Sequence, residues 1–200
     1  LQVIADDGVY ELDDPTDPWR TANAGVTDEV LPPYTPIVRD GDRVQCWGRS
    51  HTLAGLLPAD ITSQGQQLLA KPLALHVQLQ GQTSHALDQR DDAFRFKNVA
   101  PHRCEYTSES GDDNLRMVAD SSIEYDGLIR TDLTLSAERP VTVESLRIEF
   151  AFAPDAAIFH HLEARWGAEF FERSPTEPGN VVEYGWNPLV WVGNHDVGLT

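Results

Sequence analysis

Adjacent carboxylates come first, because two acids held at a fixed separation can divide general acid and general base work between them. Such pairs occur at Asp6-Asp7, Asp13-Asp14, Asp91-Asp92 and Asp112-Asp113. Each lies beside Gly, Pro or turn-like sequence, where Asp side chains cap and bend the chain, so turn chemistry accounts for them. Asp28-Glu29 is the one adjacent Asp-Glu pair, and it runs into the loop-like Val30-Leu31-Pro32-Pro33. It is not read as a catalytic dyad.

His160-His161, with Glu163 two positions on, offers metal-ligand types. Neighbours on a strand point to opposite faces, so both imidazoles could reach one ion only from a loop, and no third His stands at ligand spacing. No metal or cofactor site is expected. His195-Asp196 is a better polar pair, inside the glycine-flanked turn Gly193-Asn194-His195-Asp196-Val197-Gly198. Asn194, His195 and Asp196 are therefore carried as candidate substrate-binding residues, against the plainer reading of a structural turn. There is no nucleophile elbow, phosphate loop or dinucleotide glycine fingerprint. Gly48-Arg49-Ser50 and Ser63-Gln64-Gly65 read as small-residue turns without chemistry of their own. Of five tryptophans, Trp47 and Trp191 flank apolar strand-like residues and are assigned to the core. Trp186, between Gly185 and Asn187-Pro188, is the candidate exposed platform for a flat ligand face.

The elements that would position these residues show a period of two. In Leu73–Gln80 the odd positions are apolar while His76, Gln78 and Gln80 face the other way, and Gly81 ends the run. Tyr125 to Ser136 repeats this, with Tyr125, Ile129, Thr131, Leu133 and Leu135 opposite Asp126, Arg130, Asp132 and Thr134. From Val141 to Phe152 the apolar phase switches from odd (Val141, Val143) to even (Leu146, Ile148, Phe150, Phe152). An unbroken strand cannot change faces, which predicts a bulge or a crossing between sheets near Glu144-Ser145. Weaker strands are expected at residues 9–12, 37–39, 44–47, 93–97, 103–107, 115–119, 181–184 and 189–192. Asp40-Gly41-Asp42 reads as a tight hairpin turn, and residues 111–114 as the loop of another hairpin. Residues 60–69 and 159–166 are expected to form a helical turn or two each. The fold class is therefore all-β: an antiparallel two-sheet β-sandwich, with short helical turns only. It is read as a single domain over 1–200, with residues 1–30 an irregular lead-in.

Two hundred residues can bury roughly 70% of the surface exposed when unfolded, so no metal or disulfide staple is required. Cys46 and Cys104 are read as buried free thiols, with a disulfide as the alternative. Thirty-two acids against fifteen bases give a net charge of −17. A surface so negative repels phosphate backbones, which argues against nucleic acid as a partner. No apolar run approaches the ~20 residues of a spanning helix, so no membrane span is expected. The chain begins at Leu1 without methionine and stops at Gly198-Leu199-Thr200 with a strand under way, so it reads as a piece of a longer protein.

Three stretches carry a resemblance in their wording. Pro32-Pro33-Tyr34-Thr35-Pro36-Ile37 is followed by Val44-Gln45-Cys46-Trp47-Gly48-Arg49. Leu57-Pro58-Ala59-Asp60-Ile61-Thr62-Ser63-Gln64-Gly65 continues through Leu68-Leu69-Ala70-Lys71-Pro72. Glu124-Tyr125-Asp126-Gly127-Leu128 is joined by the closing Leu189–Leu199. Together these resemble the N-terminal β-sandwich region of bacterial proteins related to glycoside hydrolase family 123. The resemblance implies a C-terminal catalytic barrel, absent from these 200 residues, that hydrolyses terminal β-linked N-acetylgalactosamine using an adjacent Asp-Glu pair. Asp28-Glu29 precedes the sandwich motifs and does not correspond to that pair. No residue here is assigned a catalytic role. Trp47, Gly48, Arg49 and Gly127 are structural motif residues on this reading: Trp47 filling the core, Gly48 permitting a close turn, Arg49 pairing with a carboxylate, Gly127 bending the chain. The implied partner is the downstream catalytic domain of the same chain, with carbohydrate a further candidate, and a secreted or periplasmic location is favoured. A carbohydrate-binding module acting through Trp186 and a purely structural or interaction domain are the alternatives.

Overall fold

The computed structural model describes residues 2–4, 9–11, 22, 27–87, 94–111, 114–162, 172–173 and 188–200. Among them no helix occurs, every strand pairing is antiparallel, and one helical turn falls at 154–156. In the first 30 residues, expected to be irregular, β1 (Gln2–Ile4) pairs with β2 (Val9–Glu11).

Residues 38–67 form a five-stranded meander in sequence order: β3 (Val38–Asp40), β4 (Arg43–Cys46), β5 (Arg49–Leu53), β6 (Pro58–Ser63) and β7 (Gln66–Gln67). Residues 60–69, expected as helical turn, are hairpin instead. Ile61 and Ser63 go inward, Thr62 goes outward, and Gln64-Gly65 reverses the chain. A three-stranded sheet follows, with β8 (Ala74–Leu79) between β9 (His85–Ala86) and β14 (Val143–Glu149). A second meander joins β10 (Arg95–Val99), β11 (Arg103–Gly111), β12 (Leu115–Glu124) and β13 (Ile129–Ala137). The last sheet has β15 (Phe159–Leu162) between β16 (Glu172–Arg173) and β17 (Val190–Gly193), with β18 (Gly198–Leu199) outside β17. Phe159–Leu162 is thus strand where helical turn was expected, because β17 supplies a ladder partner for all four of its residues.

Alternation and register decide what is buried. Along β11 and β12 the pairs Cys104–Ile123, Tyr106–Ser121, Ser108–Ala119 and Ser110–Met117 all lie on one face. That face meets two sheets at once. Cys104, Tyr106 and Ile123 cluster with Val44, Cys46 and Leu53 of the first meander. Met117, Ala119 and Leu115 cluster with Leu75, Val77 and Leu79 of β8. The β10–β13 sheet is therefore one layer of a sandwich, and the other is composite, its two parts joined where Leu73 N donates to Pro58 O. Ile61, Leu68, Leu69, Ala156 and Val197 fasten the C-terminal sheet to the end of the first meander. Cys46 and Cys104 are buried and free.

The phase switch in residues 141–152 is a bulge. Val143 pairs with Leu79, Ser145 with Gln78 and Leu146 with Val77, so one residue of β8 spans two of β14. The extra residue brings Val143, Leu146 and Ile148 to the same face, so no crossing between sheets is needed. The strand expected from Tyr125 begins instead at Ile129, because Tyr125–Leu128 forms the β12–β13 turn, closed by Gly127 N donating to Glu124 O.

One polar side chain breaks the apolar pattern of the inner face. His51, between Val44 and Ile61 in the register, is 2% exposed, and its Nδ1 has no hydrogen-bond partner among the described residues. Burial, helped by the Arg49 charge, pushes its pKa down to about 4 from 6.5. The folded state therefore holds His51 neutral where the unfolded chain would protonate it. Its contribution is present above pH 6.5 and is lost as pH falls toward 4, amounting to about 3 kcal/mol at pH 4. Denaturant titrations of wild type and His51→Leu at pH 7 and pH 4 test this. The variant should lose about 3 kcal/mol less between the two pH values.

Candidate functional site

The outer face of the first meander carries polar residues in register. Gln45 lies opposite Ser50, and Ser50 opposite Thr62; in the next row Arg43 lies opposite Thr52, and Thr52 opposite Asp60. Arg43 Nη2 donates to Ser50 Oγ at 2.7 Å, and Ser50 Oγ lies 2.6 Å from Thr62 Oγ1. Above this hydroxyl pair is an open groove of about 530 Å³, bordered by Thr35 and Pro36 and by the turns at Trp47-Gly48 and Gly65. Arg43 and Arg49 line it, and no carboxylate does.

Two hairpin turns form the end of the groove. Trp47-Gly48 joins β4 to β5 and Gln64-Gly65 joins β6 to β7, each with both central residues at positive φ: 36° and 74° in the first, 50° and 80° in the second. This geometry suits the right-handed twist of paired strands and favours Asn-Gly. Gln64 N donates to Gly48 O at 2.7 Å, and a Cβ at Gly48 would stand 2.6 Å from the Gln64 side-chain Nε2. A bulky side chain at positive φ is a conformational outlier. Trp47 is held there by its own N–H, which donates to Thr35 Oγ1 at 3.0 Å, and by Tyr34, whose ring meets the indole edge-on at 4.7 Å. Tyr125 extends the aromatic contact to the β12–β13 turn.

Trp47 was assigned to the core; instead it is half-buried at a turn, because the inward positions on either side belong to Cys46 and Arg49. Gly48 follows Trp47 in the turn at φ 74°. Arg49, expected to meet a carboxylate, donates from Nη1 to the Asp126 carbonyl oxygen at 3.1 Å, and its guanidinium stands 5.2 Å from the Trp47 ring. Gly127 is where the chain bends, at φ 92°, and a Cβ there would lie 2.7 Å from Arg49 Cδ.

The other sequence candidates do not share this groove. Trp186 lies outside the described residues. Asn194 Oδ1 accepts from the N–H groups of Asp196 (2.8 Å) and Val197 (2.9 Å), while Nδ2 donates to Asp155 O (2.8 Å) and Gln66 Oε1 (3.3 Å). That side chain ties the β17–β18 turn together and docks it beside the β6–β7 hairpin. His195 is exposed with its ring against Phe159, and Asp196 is exposed. The Trp191 indole lies across Gly193 and Gly198. His160 and His161 are consecutive strand residues, so their imidazoles leave the sheet on opposite faces. No cluster of three metal-ligating side chains occurs among the described residues. Sequence reasoning missed the groove because it treated Gly48-Arg49-Ser50 and Ser63-Gln64-Gly65 separately, as turns. The available signal was a Trp where a two-residue hairpin favours Asn.

Residues 37–200 match the family model described as "Glycoside hydrolase 123, third domain". That ordinal differs from the N-terminal position implied by the resemblance. No curated protein and no solved structure matches the chain.

The turn geometry predicts how position 47 responds to substitution. Trp47→Asn gives up the Tyr34 contact but relieves the unfavourable φ, and should unfold within about 1 kcal/mol of wild type. Trp47→Val gives up the same contact and adds a β-branched residue at positive φ, so it should fall below Trp47→Asn by about 2 kcal/mol in denaturant titration.

Proposed function

The chain belongs to the glycoside hydrolase 123 third-domain family, and from that premise we propose that it is a non-catalytic β-sandwich domain, one unit over residues 1–200, packed against the catalytic barrel of its parent hydrolase. The parent activity on this reading is that of an N-acetyl-β-galactosaminidase.

The observation that carries the packing role is an uncovered apolar strip. Val143, Leu146, Ile148 and Phe150 are 39%, 46%, 46% and 50% exposed. The first three share the face of β8 that packs on the opposite layer, and β14 is the outer strand of its sheet. The covered core thus continues into a strip with nothing over it among the described residues. An exposed apolar strand face with one unpaired edge is a surface that another folded body completes. A neighbouring domain of the same glycoside hydrolase is the occupant that family membership supplies. Several described cations pair with carboxylates on the second meander: Lys97 with Asp120, Arg116 with Glu109, Arg103 with Glu105 and Glu124, Arg130 with Asp132.

Two measurements test this. On an aryl N-acetyl-β-galactosaminide, residues 1–200 alone should give no turnover, and the parent chain extended through the barrel should give it. Turnover by the 200-residue chain would sink the non-catalytic reading. Leu146→Glu with Ile148→Glu should change the stability of the 200-residue chain by no more than about 1 kcal/mol, since both positions are half-exposed already. The same pair should lower the thermal midpoint of the extended chain by several degrees; an unchanged midpoint would remove the packing role.

A further inference from the structure

We propose that the groove beside Trp47 binds a sugar ring bearing an acid group, a uronate carboxylate or a sulfate ester, with the pyranose face on the indole and the anion on Arg43. This inference does not rest on the domain's position beside a catalytic barrel.

Three observations converge. The first is the conformation of Trp47. A two-residue hairpin of this kind is easiest with Asn-Gly, yet the chain holds a Trp at φ 36°. Backbone strain of this sort points toward function when the surroundings over-determine it, and Tyr34, Thr35 and Arg49 all hold this residue. The result is a half-exposed indole at the end of a groove. Large flat rings with a polar edge are suited to the C–H face of a pyranose.

The second is the donor set along the groove. Ser50 and Thr62 form a hydroxyl pair, Ser50 itself 7% exposed, with the Arg43 guanidinium already oriented by its bond to Ser50. Gln45 adds an exposed amide that has no partner among the described residues. A guanidinium presents its N–H donors in a planar fork that matches a carboxylate or a sulfate.

The third is charge. Across the chain acids outnumber bases thirty-two to fifteen, yet the residues lining this groove include two arginines and no acid. Asp40 and Asp60 stand in the same row as Arg43, Asp40 directly opposite it on β3 and Asp60 two strands away on β6, but neither lines the groove, and Asp60 already accepts from Gln67 Nε2 at 3.2 Å. A local cation on an acidic protein selects for an anion that makes contact, because the long-range field repels anions in general.

Calorimetric titration of the 200-residue chain with four probes decides the matter: galacturonic acid, N-acetylgalactosamine 6-sulfate, N-acetylgalactosamine and inorganic sulfate. At least one charged sugar should bind with millimolar affinity or better, and the neutral sugar and inorganic sulfate about tenfold more weakly or worse. Arg43→Gln, on the outer face and away from the core, should weaken the charged sugar about tenfold. Trp47→Asn should abolish binding while the circular dichroism spectrum and thermal midpoint stay close to wild type. Equal binding of neutral and charged sugars would overturn the role of Arg43. Inorganic sulfate binding as tightly as the sulfated sugar would reduce the groove to a simple anion site, and absence of heat with either charged sugar would remove the site altogether.

Discussion

One face of one sheet is asked to bury two others. The inner side of β10–β13 meets the first meander at Cys104, Tyr106 and Ile123, and meets β8 at Leu115, Met117 and Ala119. Everything described above depends on that division. Register fixes which side chains reach the shared face, and a slip of one residue would send the whole set to solvent. The long β11–β12 ladder, paired without a break from Arg103–Glu124 to Gly111–Arg116, is what makes such a slip expensive. The composite layer has no comparable ladder. Its two parts are short, carry bulges and meet at one corner, so their alignment is inherited from the sheet they cover.

The covering is incomplete on one side, and this gives β14 its character. The bulge at Glu144 is what a strand needs if two apolar sets of opposite phase are to share a face. In an isolated edge strand that device would have no purpose, because exposed residues carry no phase constraint. Its presence means that both sets have a common side to face. Val143 and Leu146 fall on the side of the buried Leu79 and Val77 but extend past the layer that covers them. The mismatch between a face arranged for burial and its exposure is the physical content of the packing argument.

How much of this could be read in the residues follows from the same alternation. Where one face is apolar and the other polar, as in Leu73–Gln80 and Ile129–Ala137, strands and inward residues were both legible, and even the bulge followed from a phase change. Where small polar residues occupy inward positions the pattern failed. In β5 and β6 the inward set includes His51 and Ser63, so β5 went unrecognised and residues 60–69 read as helical turn. In β15 four residues were too few for a period to appear, and only the β17 ladder reveals them. The groove was less legible still. Its parts come from four strands and two turns separated by up to 30 positions, and only pairing brings Ser50 beside Thr62 or Gln64 beside Gly48. Trp47 shows the limit well: an apolar side chain after an apolar run reads as core, and only the turn's φ reveals that it leaves the core.

Charge then decides how partners approach a molecule built this way. The cross-strand pairs on the outer face of β10–β13 include the hydrogen bond from Lys97 that holds the Asp120 carboxyl below its usual range. Exposed pairs of this kind stabilise by no more than about 1 kcal/mol each, so their main effect is to neutralise locally. Acids in excess of the cations set the distant field, which decays over about 8 Å at physiological salt. A ligand or domain therefore meets the net charge only on coming within about that range, and is judged by individual side chains at contact. An apolar strip needs no charge to be recognised, but a sugar carrying an acid must cross the field before Arg43 can reward it. Raising salt weakens the distant repulsion more than a contact made within the groove, so the two surfaces are separable by ionic strength as well as by mutation. The strip and the groove therefore obey different physics although both belong to the same composite layer.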